Sequence, residues 1–309
     1  MIAGAATTAQ SRVNGELAVR VGSGWEAALI SFSTGIIFLT VYALAVPAVR
    51  RGLTLVFEAV RESRLKWWHL IGGSIGASFV ATQSIVVPQM GVAIFTIATV
   101  GATTAASIGV DRVGLGPQGV IHPSRNRVIA GVIAVFAIGV AVADRVGGAS
   151  LNVFGVLAAL AVGAGVAFQH ALNGHVGRVA QQPVTAALWN FIVGTSLLAT
   201  IFVIQLVLGN VVIEPLPTDA WWLYLGGLFG LSFIIAAARI IHLLGSLRFA
   251  LGSVTGQLVG AVLFDIFAPT AGTDISSNLI AGLCLTAVAV VIANLKPSNL
   301  KPASAPAAK

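Results

Sequence analysis

The sequence predicts an all-α integral membrane protein with about ten transmembrane helices, arranged as two inverted five-helix repeats. Three observations lead to this prediction. Hydrophobic residues make up 57% of the 309 residues and charged residues only 9%, whereas about 25% of the residues of a soluble domain are charged. The chain also contains an internal duplication, and its basic residues gather in alternate connections between apolar runs. Each run is roughly 20 residues long, which lets a helix cross about 30 Å of hydrocarbon.

The duplication appears when the chain is aligned with itself without gaps. At a shift of 159 positions, the matching residues are Gln10/Gln169, Asn14/Asn173, Gly15/Gly174, Ala27/Ala186, Ala28/Ala187, Leu29/Leu188, Phe32/Phe191, Gly35/Gly194 and Leu39/Leu198. At a shift of 154, WWHLIGGSIGASF, from Trp67, matches WWLYLGGLFGLSF, from Trp221, and Asp111 matches Asp265. We therefore expect three parts, which are a first five-helix repeat over 1–147, a second, inverted repeat over 148–296, and a tail over 297–309.

The five spans predicted in the first repeat cover about 1–20, 27–49, 67–88, 91–110 and 128–143. The first of them is weak, because only nine residues precede Gln10 whereas the second copy has some 17 before Gln169; either this helix is short or its start is truncated. Arg50 and Arg51 end the second span, and Trp67 and Trp68 begin the third, because tryptophan prefers the headgroup level of the bilayer. The basic segment 50–66 between these two spans is predicted to form either a short interfacial helix or a packed loop.

The five spans predicted in the second repeat cover about 151–174, 184–208, 221–243, 249–267 and 278–295. A short linker, Asp144 to Ser150, joins the two repeats. The chain after Lys296 is rich in Ala, Pro and Lys, a composition typical of a disordered terminus. We expect this tail to lie in the cytoplasm.

The odd number of spans in each repeat determines their relative orientation. After five spans, the second repeat would enter the membrane from the opposite side, and so it would lie inverted. The basic residues agree, because cytoplasmic connections collect Lys and Arg. The segments assigned to the cytoplasm hold Arg50, Arg51, Arg61, Arg64, Lys66, Arg112, Arg125, Arg127, Arg178, Arg239, Arg248, Lys296, Lys301 and Lys309. The outside connections hold only Arg20 and Arg145, and Arg12, within the first span, is assigned to neither side. We therefore expect both termini in the cytoplasm of a bacterial-type inner membrane.

Several kinds of site and partner are not expected from this sequence. The net charge of +7 would suggest nucleic acid for a soluble chain, but here it indicates topology. The single cysteine, Cys284, allows neither an intrachain disulfide nor a thiolate metal cluster. Walker, nucleophile-elbow, Rossmann and zinc motifs are absent, so we expect no cofactor, no metal and no enzyme. The expected partners are the lipid bilayer and a small-molecule substrate, with the chain a monomer or a homodimer.

Side-chain amides are the main candidates for a binding site. Gln10 and Asn14, like Gln169 and Asn173, are four residues apart and project from one helix face. Amides at membrane depth need hydrogen-bond partners. They could face a substrate in a central cavity, or they could equally hold helices together through interhelical hydrogen bonds. Further polar candidates for the same cavity are Ser31, the matching Asn190, and Gln257, which replaces Thr103 of the first repeat.

Glu16 and His175, at matching positions after the two Asn-Gly pairs, are weaker candidates. An ionisable group inside a membrane is a functional candidate by default, and the two side chains could titrate in a proton-coupled cycle. Both of them, however, could lie at a helix end in the headgroup region. Proton coupling by this pair is therefore the lesser of the two site hypotheses.

The order of the motifs resembles the YdcZ-type family of the drug/metabolite transporter superfamily, in a fused two-repeat form. The motifs are Q-x-x-x-N-G, then A-A-L-x-x-F-x-x-G, then W-W-x-x-x-G-G-x-x-G, and a late Gly256 and Gln257 before Asp265. The resemblance covers nearly the whole chain and implies a plasma-membrane exporter of small molecules. Small multidrug pumps of this superfamily use a glutamate in their first span, but Glu16 lies too late in its span for that role to be carried over.

Two functions from different classes remain open at this point. Inverted repeats are a common plan of secondary transporters, and the leading hypothesis is a carrier that works by alternating access. Its substrate would be held between the repeats by amides and hydroxyls and would be neutral, zwitterionic or weakly polar. The alternative is a non-transporting membrane scaffold or accessory subunit, in which the amides only hold helices together.

Overall fold

The computed structural model describes residues 1–145, 152–211, 213, 215–244, 246–270 and 273–295, with side chains described for all of these except 145, 237–244, 246–248 and 250. The regular structure in this part of the chain is helical. The α-helices are α1 Ile2–Arg20, α2 Gly24–Ala45, α3 Pro47–Arg61, α4 Gly72–Met90, α5 Val92–Arg112, α6 Arg125–Val142, α7 Val153–Ala180, α8 Pro183–Val207, α9 Gly226–Leu244, α10 Ser246–Phe267 and α11 Ser277–Asn294. Short 3-10 turns, Trp67–Ile71 and Trp221–Leu225, precede α4 and α9 at matching positions. The predicted tail, 297–309, and most of the linker lie outside the described residues.

The all-helical membrane class is confirmed, but the count of ten spans is not. Within the described residues, seven helices are long and apolar enough to cross a membrane, namely α2, α4 with its preceding turn, α5, α6, α7, α8 and α11. The described apolar stretches of α9 and α10, Trp221–Ala236 and Leu251–Phe267, are shorter. α1 carries Arg12, Glu16 and Arg20 and is not among the seven.

The boundary after the second span differs from the prediction. We expected a span over 27–49 that ends at the arginines, whereas α2 ends at Ala45 and α3 begins at Pro47. Proline lacks an N–H group and disfavours helical geometry in the residue before it, and Val46 is accordingly extended, with φ −115° and ψ 101°. The helical alternative for the basic segment is confirmed, with bounds shifted toward the N-terminus.

The structure shows how α3 is held against the rest of the protein. Val49, Gly52, Val56 and Ala59 form its buried face, which packs on α7 and α8. The Thr185 hydroxyl at the start of α8 donates a hydrogen bond to the Val49 carbonyl over 3.2 Å. This one-sided burial is typical of an amphipathic helix.

The two halves of the chain interlock through contacts at matching positions. α1 packs on α9 and α10, and α7 packs on α4 and α5. Between α2 and α8, the rings of Phe32 and Phe191 lie 4.9 Å apart. Gly35 lies under the Phe191 ring and Gly194 under the Phe32 ring. Each half therefore provides a glycine against which a phenylalanine ring of the other half packs.

Helix lengths distinguish the two halves. α1 has 19 residues, whereas its equivalent α7 has 28. α7 also continues to Ala180, six residues beyond the predicted end of its span, until Gln181 takes a left-handed conformation with φ 53°. At its other end, the Asn152 side chain accepts a hydrogen bond from the Gly155 N–H over 2.8 Å, as is typical of an N-cap.

The carboxylate of Asp265 joins the two halves of the chain. It is 3% exposed and accepts hydrogen bonds from the N–H groups of Val92 and Ala93 over 2.9 and 2.8 Å. These groups belong to the first turn of α5, where an anion is favoured by the free N–H groups and the helix dipole. Asp265 of the second half therefore anchors the start of a helix that belongs to the first half of the chain.

Candidate functional site

A cavity of about 640 Å³ lies among α1, α4, α5, α7, α9 and α10. Its walls are mostly apolar or carry hydroxyl and amide groups. The lining residues are Thr7, Thr8, Gln10, Ser11, Phe79, Phe95, Thr96, Thr99, Val100, Thr103, Thr104, Val166, Gln169, His170, Asn173, Phe233, Phe249, Ser253, Val254 and Gln257. A volume in this range accommodates a metabolite or drug-sized molecule.

Most of these lining residues fall into pairs related by the two shifts of the duplication. At a shift of 159, the pairs are Thr7/Val166, Gln10/Gln169 and Ser11/His170. At a shift of 154, they are Phe79/Phe233, Phe95/Phe249, Thr99/Ser253, Val100/Val254 and Thr103/Gln257. Both halves of the chain therefore build the cavity from equivalent positions.

Glycines of α4 and α9 allow close approach by α7 and α1, the two helices that carry the Gln-x-x-x-Asn motifs. A Cβ atom built on Gly76 of α4 would lie 2.6 Å from Nε2 of Gln169, and one built on Gly230 of α9 would lie 2.9 Å from Oε1 of Gln10. The last glycine of each GG-x-x-G motif thus contacts the glutamine side chain of the other half. Small residues allow such close approach of helices inside a membrane.

Four of the predicted site residues, Gln10, Gln169, Asn173 and Gln257, line the cavity. None of their side chains is fully buried, and among the described residues none of them makes a hydrogen bond with another protein group. An amide carries both donors and acceptors, so these four groups are available to a molecule in the cavity. Thr103 differs, because its hydroxyl lies 2.7 Å from the carbonyl oxygens of Thr99 and Gly163.

The other three polar candidates lie behind the cavity wall. Asn14 and Ser31 are 0% and 1% exposed, and both face Gly226 at the start of α9. Within the described part of the chain, the Asn14 amide and the Ser31 hydroxyl have no hydrogen-bond partner. Asn190 occupies the equivalent place, with its Oδ1 atom 3.2 Å from a Cβ built on Gly72.

Glu16 lies outside the cavity in a row of ion pairs. Its carboxylate is 3.0 Å from Nη1 of Arg12 and 3.4 Å from Nη2 of Arg20. Arg20 continues the row to Asp219 in the α8–α9 connection, with Nη1 2.7 Å from Oδ2. The hydrogen bond from Arg20 holds the pKa of Asp219 below its ordinary value, so the carboxylate of this pair stays ionised to a lower pH than an isolated aspartate.

His175 also lies outside the cavity. Its Nε2 atom is 3.0 Å from the Leu115 carbonyl oxygen, and its ring stacks on His69 with the centroids 4.3 Å apart. The structure therefore separates the Glu16 and His175 side chains from the four amides that line the cavity. Among the described residues, no group of three His, Cys, Asp or Glu side chains could hold a metal ion.

His170 and the phenylalanines are cavity residues that the sequence reasoning missed. His170 is exposed and is the one ionisable side chain among the described lining residues. The sequence does indicate that His170 faces the cavity. One helix face with i, i+3, i+4, i+7 spacing is formed by Val166, Gln169, His170 and Asn173. Extending the Gln-x-x-x-Asn motif along that face would have identified it.

Comparison with known families agrees with the motif order. A family model described as "Putative inner membrane exporter, YdcZ" matches residues 1–142 and 154–292. The two matched segments correspond to the two halves of the duplication, as in a two-repeat chain. No curated protein and no solved structure shows a significant match.

Proposed function

Because the chain belongs to the YdcZ family of inner membrane exporters, we propose that it is a secondary transporter that exports a small molecule by alternating access. The observation that supports this most directly is the cavity between the two halves, lined by equivalent residues from each. A site at the interface of two repeats is where many secondary transporters bind their substrates. A family of membrane exporters is also a transporter family rather than an enzyme family.

The polar groups of the cavity support substrate binding over a scaffold role. If the amides served only to hold helices together, they would be engaged in interhelical hydrogen bonds. Gln10, Gln169, Asn173 and Gln257 make no such bonds within the described part of the chain and instead line the cavity. In our proposal these four residues bind the substrate, whereas Asn14, Ser31 and Asn190 pack against glycines of neighbouring helices and do not contact it.

The two ends of the molecule are packed differently, as a carrier in one of its two states would be. Gly15 of α1 lies against Val87 and Pro88 of α4, and near this contact the Ser11 hydroxyl donates to Oε1 of Gln83 over 3.0 Å. The matching glycine of α7, Gly174, lies instead against Pro117 in the α5–α6 connection. We propose that exchange between these two arrangements moves access to the cavity from one side of the membrane to the other.

We further propose ten spans in two inverted repeats, with both termini in the cytoplasm. The distribution of arginine and lysine supports this orientation. The ion pair between Arg20 and Asp219 is compatible with it, because the α1–α2 and α8–α9 connections are assigned to the same outer side. Proton coupling by Glu16 and His175, if it occurs, would act from outside the cavity.

Cysteine labelling in whole cells tests this topology. In a Cys284→Ser background, Asn210→Cys in the α8–α9 connection should react with a membrane-impermeant maleimide added outside. Gln118→Cys in the α5–α6 connection should react only after the membrane is permeabilised, since that connection is assigned to the cytoplasm. The reverse labelling pattern would contradict the proposed orientation, and equal labelling of both sites in intact cells would contradict ten spans.

Transport itself is tested in two steps. A ligand screen against metabolites and drugs should identify a compound that raises the Tm of the purified protein, because a ligand that binds only the native state stabilises it. In reconstituted vesicles, that compound should exchange across the membrane at a rate that saturates with concentration. A compound that binds but never crosses, in either direction and with any ion gradient, would argue for a scaffold or receptor.

A further inference from the structure

Phenylalanine rings are the second repeated feature of the cavity and indicate what it binds. The ring centroids of Phe79 and Phe95 are 5.5 Å apart, with an angle of 59° between the planes. The rings of Phe233 and Phe249 are 5.7 Å apart at 53°. The two pairs thus have nearly the same geometry, one contributed by α4 and α5 and the other by α9 and α10.

These rings are placed to contact a ligand as well as each other. Phe95 is almost fully buried, and its partner Phe79 is partly exposed, as are Phe233 and Phe249. All four line the cavity. Aromatic rings attract one another in tilted or offset arrangements with centroids about 4.5–7 Å apart, so a planar ring in the cavity could extend either pair.

The cavity offers an ionic ligand no side chain of opposite full charge. Within the described residues its lining contains no Asp, Glu, Lys or Arg, and His170 is its one ionisable side chain. Moving an ion from water into such a site without an opposite charge is costly. An uncharged ligand meets no such penalty.

Hydrogen-bonding groups form the remaining part of the wall. The amides of Gln10, Gln169 and Gln257 each provide a donor and an acceptor. A ligand matched to them carries a donor and an acceptor of its own, as an amide, a lactam or a heteroaromatic ring edge does. The volume of about 640 Å³ is large enough for a molecule with two fused rings.

We propose that the cavity binds an uncharged, planar aromatic or heteroaromatic compound that carries an amide-like hydrogen-bonding group. This inference names the substrate class of the proposed transporter, and it rests on the proposed function because it takes the cavity to be the substrate site. The two phenylalanine pairs contact the ring system, and the glutamines contact its polar edge.

Four matched compounds test the ligand class by binding to the purified protein. They are 2-naphthamide, its saturated analogue decahydronaphthalene-2-carboxamide, 2-naphthoate and 2-naphthylmethylammonium. The aromatic amide should bind about two- to tenfold more tightly than the saturated amide, the range that one ring contact supplies, and more tightly than either charged compound. Equal affinity for the two amides, tighter binding of a charged compound, or binding of none of the four would overturn the proposal.

Variants assign the preference to the phenylalanines. Phe79→Leu combined with Phe233→Leu should remove the preference for the aromatic amide and leave the affinity for the saturated amide within about twofold. The control is Phe57→Leu, which disrupts an edge-to-face pair with Trp189 on a residue that is 60% exposed and does not line the cavity. Loss of the preference in the control, or its retention in the double variant, would overturn the assignment.

These outcomes are separable from failure of the transport function. If another class of compound crosses the membrane and its flux depends on Gln169 and Asn173, the carrier proposal stands and only the aromatic class is wrong. If the aromatic amide binds with the expected preference but is never transported, the ligand class stands and the carrier proposal fails.

Discussion

Alanine at both Gln169 and Asn173 is expected to reduce substrate flux about tenfold or more while the protein stays folded. The two amides line the cavity and have no hydrogen-bond partner within the described protein. Each lost hydrogen bond to a ligand costs about 0.5–1.5 kcal/mol, and about 1.4 kcal/mol corresponds to a factor of ten. Flux in reconstituted vesicles measures the loss, and thermal unfolding in detergent measures the stability.

The matched control removes the same two side-chain types elsewhere in the second half. Gln205 and Asn210, at the end of α8, hydrogen-bond to each other over 3.0 Å and do not line the cavity. Alanine at both should leave flux unchanged. Normal flux in the Gln169 and Asn173 variant would exclude these residues from the site, whereas a large drop in its Tm would show that the amides hold helices together.

The helices could be predicted from the sequence because their cause is local. Apolar runs of sufficient length form helices in a membrane, where every backbone group must be satisfied internally. The errors fall where a single residue changes the backbone. Pro47 ends α2 four residues before the expected boundary, and α7 continues until Gln181 takes a left-handed conformation.

The candidate site was only partly predictable because it depends on contacts between distant segments. The duplication identified Gln10 and Gln169 as equivalent, and the i, i+4 spacing placed each of them on one face with its asparagine. Periodicity does not show which part of that face meets another helix. Asn14 and Asn173 both approach the first glycine of a GG-x-x-G motif, which is Gly226 for Asn14 and Gly72 for Asn173. Asn14 is fully buried there, whereas Asn173 also lines the cavity.

The phenylalanines illustrate the same limit more strongly. Phe79 and Phe95 lie on consecutive helices, and their equivalents repeat at a shift of 154. In the sequence they are ordinary apolar residues of a span, indistinguishable from rings that face lipid, such as Phe136, which is 64% exposed. Only the packing of α4, α5, α9 and α10 around a common space distinguishes them.

Alanine at Gly227 is expected to lower the Tm of the protein sharply. A Cβ atom built there would lie 2.1 Å from the Ser31 carbonyl oxygen and 2.5 Å from the Gly35 backbone nitrogen. Backbone atoms cannot move aside as a flexible side chain can, so α9 and α2 must separate. Overpacking of this kind typically costs about 1–3 kcal/mol and sometimes more. Thermal unfolding in detergent measures the effect, and flux should fall with it because the wall of the cavity moves.

The same substitution at Gly139 separates this packing effect from the general effect of replacing a helical glycine. Gly139 lies within α6, and a Cβ atom built there meets no other atom within 4 Å. Alanine is the better helix former by about 1 kcal/mol, so Gly139→Ala should leave the Tm unchanged or raise it. Equal Tm values for the two variants would mean that α2 and α9 do not meet closely at Gly227.

The equivalent change at Gly73, where a Cβ would lie 2.3 Å from the Asn190 carbonyl oxygen, should reproduce the Gly227 result. The reason is that each helix with a GG-x-x-G motif packs against the backbone of the other half.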